Sequence, residues 1–139
     1  MSLPAERQKT IRRTLGSIAD PHERLSVAIG WKNALRPLRE EERTDANRIQ
    51  GCVSRVWLVA EMEGRRCHFR MDAESPLVRG LVGMICGIYD GATPDEVVTE
   101  EPVVLDETGL LRNLSPTRQN GLAAVRRTLV EFAAKEIAG

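Results

Sequence analysis

Gly51 and Cys52 stand side by side where a polar segment gives way to an apolar run, in the stretch Gly51-Cys52-Val53-Ser54-Arg55-Val56-Trp57-Leu58. A thiolate is a nucleophile toward sulfur, so this placement points to sulfur transfer through a thiol that is exposed at some moment. Gly51 removes bulk beside the sulfur and permits a positive φ. Ser54, Gln50 and nearby backbone amides could hydrogen-bond a thiolate or a persulfide. Arg48, Arg55 and Arg118 are the candidate positive neighbours that would favour the ionised form. Trp57, Leu58 or a neighbouring helix would line a pocket sheltering the sulfur.

The other two cysteines read differently. Cys67 alternates with Phe69 and Met71, and Cys86 sits at the edge of an apolar helical arc, so both are expected to pack as small hydrophobes. An iron-sulfur or metal scaffold built on Cys52, Cys67 and Cys86 is the alternative. The intervals of 15 and 19 residues lack the close ligand pairs of structural metal sites. His68 would point away from Cys67 on a strand and reads as a surface residue.

Other chemistries lack their signatures. GxSxG, GxGxxG, HExxH and the phosphate-binding loop pattern are absent. Glu40-Glu41-Glu42 and Glu100-Glu101 read as solvated acidic faces. Twenty basic and twenty acidic residues cancel, which argues against nucleic acid or an anionic membrane as partner. The longest apolar run, Leu77 to Tyr89, is 13 residues with Arg79 inside it, short of the roughly 20 that span a bilayer. The first residues do not form a secretory signal, and three unpaired cysteines fit a reducing compartment, so the cytoplasm is the expected location.

The elements that must position Cys52 follow from periodicity and caps. Residues 5–18 read as a first helix through Ile11, Leu15 and Ile18. Asp20-Pro21 opens a second, carrying Leu25, Ala28, Ile29 and Leu35 and ending before Pro37. Residues 37–51 read as a loop with one turn near Glu40 and an extended stretch at Arg48 to Gln50. A hairpin follows, Val53 to Met62 turning at Gly64 into the strand of Cys67, Phe69 and Met71.

Ser75-Pro76, Thr93-Pro94 and Ser115-Pro116 each read as a helix start. Gly80, Gly83 and Gly87 share one stripe of the first of these three helices. Each costs about 1 kcal/mol against alanine in a helix, so a second backbone is expected to lie close there. The last helix is expected to present Leu122, Val125, Leu129, Phe132 and Ile137 to the core. At 139 residues the chain reads as one domain, 1–139, of α+β class with helices on one face of a small antiparallel sheet.

Four motifs in order carry a family resemblance: Asn47 to Leu58, Leu77-Val78-Arg79-Gly80-Leu81, Tyr89-Asp90-Gly91-Ala92-Thr93-Pro94, and Leu114-Ser115-Pro116-Thr117-Arg118-Gln119-Asn120-Gly121-Leu122. Together they resemble the SufE family of sulfur acceptors. The resemblance implies a SufE/NifU-like fold with about three antiparallel strands, and Cys52 as the acceptor. Gly51, Ser54, Trp57, Glu74 and Arg118 are the implied supporting or partner-binding residues.

The implied partners are a pyridoxal-phosphate cysteine desulfurase, which the protein would stimulate, and a downstream iron-sulfur scaffold complex. No cofactor of its own is implied. Met71 and Glu74 stand where the family usually has glycine and aspartate, so the turn there and any partner contact near it are expected to differ.

Overall fold

A computed structural model describes residues 1–139. Five helices begin with a hydroxyl or carboxylate cap and carry proline at the first or, in α1, the second position; the cap accepts from an amide that the first turn leaves free, and proline has none to satisfy. These are α1 (Leu3–Gly16), α2 (Pro21–Ile29), α3 (Pro76–Tyr89), α4 (Pro94–Thr99) and α6 (Pro116–Ala138). Thr93 and Glu96 form a full capping box at α4. Between α4 and α6 lie the short α5 (Val104–Glu107) and a 3₁₀ turn at Leu111–Asn113, in a stretch whose sequence carries no clear period.

The hairpin pairs β1 (Val56–Glu63) with β2 (Arg66–Ala73) in antiparallel register, from Val56 opposite Ala73 to Glu63 opposite Arg66. Gly64 makes the turn at φ +61°. Phe69 and Cys67 point inward, and Phe69 meets Phe132 of α6 edge-on with ring centroids 6.0 Å apart. α3 lies in the middle of the interior, with Leu81, Val82, Met84, Ile85, Cys86, Ile88 and Tyr89 all buried.

The opposite face of the sheet holds the segment before it through ion pairs. Arg70 reaches Glu42 and Glu61, and Asp72 takes Arg43 and Arg79. The Arg70 guanidinium holds the Glu42 carboxyl well below the usual carboxylate range. The long connection from α2 to β1 is therefore fixed to β2 about ten residues ahead of Cys52.

Three expectations need correction. The sheet has two strands, not three. The extended stretch at Arg48 to Gln50 makes a single bridge, Arg48 to Trp57, with the Ile49 amide donating to the Val56 carbonyl at 2.8 Å. A 3₁₀ turn at Asp45–Asn47 coils the chain off the β1 edge on one side, and the turn at Gly51 takes it away on the other. Only one residue is left to pair.

The second helix stops at Ile29, with Gly30 as its cap, and Leu35 lies in irregular chain beyond it. This stop lets the Ile29 carbonyl approach the glycine stripe of α3. A Cβ on Gly80 would lie 2.3 Å from that oxygen, which is the close backbone contact expected of the stripe. Ile137 of α6 is 51% exposed, because Ala133 makes the last inward contact and the helix then runs past the core. No helix is long and apolar enough to cross a membrane.

Candidate functional site

Cys52 sits on a short loop whose two ends are tied to each other. The Ile49 to Val56 hydrogen bond closes its base. Its returning leg is pinned by Glu74, which accepts from the Arg55 amide at 3.1 Å and from Arg55 Nε and Nη2 at 2.9 Å each. The Glu74 amide in turn donates to the Arg55 carbonyl. Glu74 thus holds one leg of the loop through a bidentate pair with Arg55. Between these ties lie Gln50 to Ser54.

Gly51 turns the chain at φ +91°, a conformation that a side chain would strain. A Cβ there would also meet the Ala124 methyl at 3.4 Å. The turn lays Cys52 against α6, where its thiol donates to the Gly121 carbonyl at 3.4 Å. Gly121 presents bare backbone to the sulfur, and a Cβ there would lie 3.5 Å from it, an ordinary contact. A glycine early in a long helix costs about 1 kcal/mol against alanine, which is the local feature that marks this position in the sequence.

The thiol is half-buried at the edge of a pocket of about 130 Å³. Val78, Leu81 and Val82 of α3 and Leu122 of α6 supply its apolar wall. Ser54, Thr117 and Arg118 supply the polar rim. Burial pushes the Cys52 thiol above its ordinary range, and Arg48 opposes the shift. At rest the sulfur is therefore a sheltered neutral thiol. Movement into water would remove the burial that keeps it protonated.

The sequence candidates divide. Gly51, Cys52, Ser54 and Arg118 come together at the pocket, and Glu74 acts one step away through Arg55. Trp57 does not line the pocket, nor does Leu58, which faces a groove on the other side of the loop with Arg48, Ala124 and Arg127. The indole is buried under two guanidiniums, Arg43 at 5.7 Å and Arg55 at 5.6 Å from the ring centroid. It braces the segments that flank the loop. Residues not singled out from sequence are Gly121 and Ala124, which give the loop its bed, and Arg127, whose Nη2 lies 3.9 Å from the Cβ position of Gly51.

Cys67 and Cys86 are fully buried. Burial pushes the Cys67 thiol up to about 11 and the Cys86 thiol higher still. No three of the His, Cys, Asp and Glu side chains are grouped so as to hold a metal ion, so the three cysteines are not assembled as a scaffold would need. His68 lies on β2 between Glu63, 3.2 Å from Nε2, and Asp90, 3.3 Å from Nδ1.

Comparison with known proteins gives one consistent answer. Residues 9–133 match the model of SufE, the Fe-S metabolism associated domain. A SufE-like protein of Synechocystis is 34% identical over 120 residues, covering 86% of this chain and 75% of its own length. A SufE-like protein of Rhizobium etli is 34% identical over 119 residues, covering 82% of this chain and 80% of its own. The solution structure of a hypothetical protein from Thermus thermophilus superimposes over the whole of both chains with a TM-score of 0.78 at 20% identity, a likeness of fold.

Proposed function

The chain belongs to the SufE family, associated with Fe-S metabolism, and on that premise we propose that it is a sulfur acceptor whose working atom is Cys52 Sγ. The observation that carries the reading is the contrast among its thiols. One lies half-buried on a short loop at a pocket mouth, while the other two are sealed in the core.

The donor is a pyridoxal-phosphate cysteine desulfurase bearing a cysteine persulfide. Cys52 emerges, ionises, and its thiolate attacks the outer sulfur of that persulfide. The donor's S–S bond breaks, its cysteine leaves as a thiolate, and Cys52 carries the outer sulfur as its own persulfide. No oxidant is consumed, since the sulfane sulfur keeps its oxidation state. Removing the product sulfur frees the desulfurase for its next turnover, which is how the protein stimulates it.

The loaded loop then passes the sulfur to an iron-sulfur scaffold complex by the same exchange. In a reducing cytoplasm the pocket protects the persulfide between the two encounters. The polar residues of the loop and pocket rim, Ser54, Thr117 and Arg118, are placed to solvate the anionic outer sulfur.

Intact-mass measurement after incubation with a cysteine desulfurase and free cysteine is the test. A gain of one sulfur atom that disappears in Cys52→Ser is the expected result. Loading that persists in Cys52→Ser removes the reading.

A further inference from the structure

Three arginines flank the Cys52 loop without an ion-pair contact of their own, and of the three Arg48 alone is coupled at longer range to a carboxylate, Glu74. Arg118 lines the pocket on one side, together with Cys52 and Val53. Arg48 and Arg127 line the groove on the other side, beside Gln50. None of the three takes part in an ion pair. Arg55, by contrast, is neutralised by Glu74. The pocket wall holds no carboxylate, and the groove holds one, Glu131, outside ion-pair distance of either arginine.

The chain as a whole has a formal charge of zero, so this is a local positive field on a neutral molecule. At its centre Val53, next to the thiol, is 78% exposed. A single exposed apolar side chain is ordinary on a protein surface. One set beside Cys52, with Arg118 in the same pocket and Arg48 and Arg127 in the groove across the loop, has the layout of a small interface, an apolar tip flanked by charge.

We propose that the Cys52 loop docks as an apolar tip in a basic collar, and that Arg48, Arg118 and Arg127 select a partner whose sulfur-bearing site is an apolar recess rimmed by carboxylates. This rests on the sulfur-acceptor reading and adds the chemistry of the donor's face. Long-range attraction to an acidic rim speeds encounter and orients the loop before contact. It also disfavours approach by a basic surface, so the collar would act as a filter on which protein receives or delivers sulfur.

The test titrates the protein against the same cysteine desulfurase used in the loading assay, by calorimetry at two salt concentrations. Wild-type affinity is expected to fall about tenfold between roughly 50 and 500 mM NaCl, as screening shortens the reach of the charges. The triple variant Arg48→Gln, Arg118→Gln, Arg127→Gln should bind about tenfold more weakly at low salt and lose most of the salt dependence. The matching triple lysine variant should stay within about threefold of wild type, since it keeps the charges.

Wild-type binding that ignores salt, or a glutamine variant that binds as wild type does, overturns the collar. If sulfur still reaches Cys52 in that case, the acceptor reading stands without it. If Cys52 takes no sulfur from the desulfurase at all, both fall.

Discussion

The interior around α3 and the groove along α6 use the same two residue types, cysteine and glycine, to opposite ends. In α3, Gly80 admits the Ile29 backbone and Cys86, farther along the same helix, is fully buried. At the pocket beside α6, Gly121 lies against a sulfur, and Cys52 donates to its carbonyl in one weak hydrogen bond from a loop held by Ile49 and Arg55 at its two ends. Close packing makes the first pair inert. The second pair leaves its sulfur half-exposed at a pocket edge, so on the proposed reading the availability of a cysteine here is set by its packing rather than by the side chain.

The largest effect expected of this difference is all or none. Cys52→Ser should abolish sulfur loading by intact mass, whereas Cys67→Ala and Cys86→Ala should still load. Transfer of the loading defect to either core variant would break the comparison.

Next is thiol accessibility. Iodoacetamide on the native protein should modify Cys52 at least about a hundredfold faster than Cys67 or Cys86, which must await an opening of the core. The Cys52 rate should also rise with a pH midpoint above that of free cysteine, about 8.5, and fall back to it in denaturant. Peptide mapping of the alkylated sites reads the first point, and a pH series reads the second.

The glycines sharpen the contrast in stability. Gly80→Ala puts a methyl 2.3 Å from the Ile29 carbonyl oxygen, so denaturant unfolding should show a loss of about 1–3 kcal/mol. At Gly121 the added methyl would meet the sulfur at 3.5 Å, an ordinary contact. Any strain is offset by the better helix propensity of alanine, and stability should change by less than about 1 kcal/mol. The loading rate, not the melting curve, should register Gly121→Ala.

The smallest effect is on alkaline stability. Both core thiols have folded pKa values above the unfolded one, so the folded state holds its protons longer. Their contribution is complete below the unfolded value of about 8.5. It is lost as pH rises from there through the folded value, about 11 for Cys67. The stability of wild type should therefore decline over that range, and Cys67→Ala should flatten the decline by equilibrium unfolding.

Much of this architecture is written locally. Asp20-Pro21, Ser75-Pro76, Thr93-Pro94 and Ser115-Pro116 mark helix starts because a cap oxygen and a proline act on backbone groups within three residues of themselves. The hairpin is legible for the same reason, since alternation and Gly64 act between neighbours. The stop of α2 is marked locally by Gly30, a helix-ending residue, but the apolar period runs on to Leu35 and masks it, and the close approach of Ile29 to α3 accompanies the earlier end. The third strand implied by the resemblance is not formed: the extended stretch around Ile49 is compatible with a ladder, and the turns flanking it at Asp45–Asn47 and Gly51 leave room for one bridge.

By itself the sequence determined the order of the elements, the reactive candidate and the family resemblance, all carried by residues that act on near neighbours or stand in a contiguous motif. Only the tertiary structure decided which partners meet. It set Cys52 against Gly121, 69 positions away, put Trp57 under two guanidiniums instead of in the pocket, and brought Arg48, Arg118 and Arg127 to one loop. The physical reason is that such contacts depend on how α6 crosses the segment before β1, a packing choice made by the whole core at once and by no stretch of chain alone.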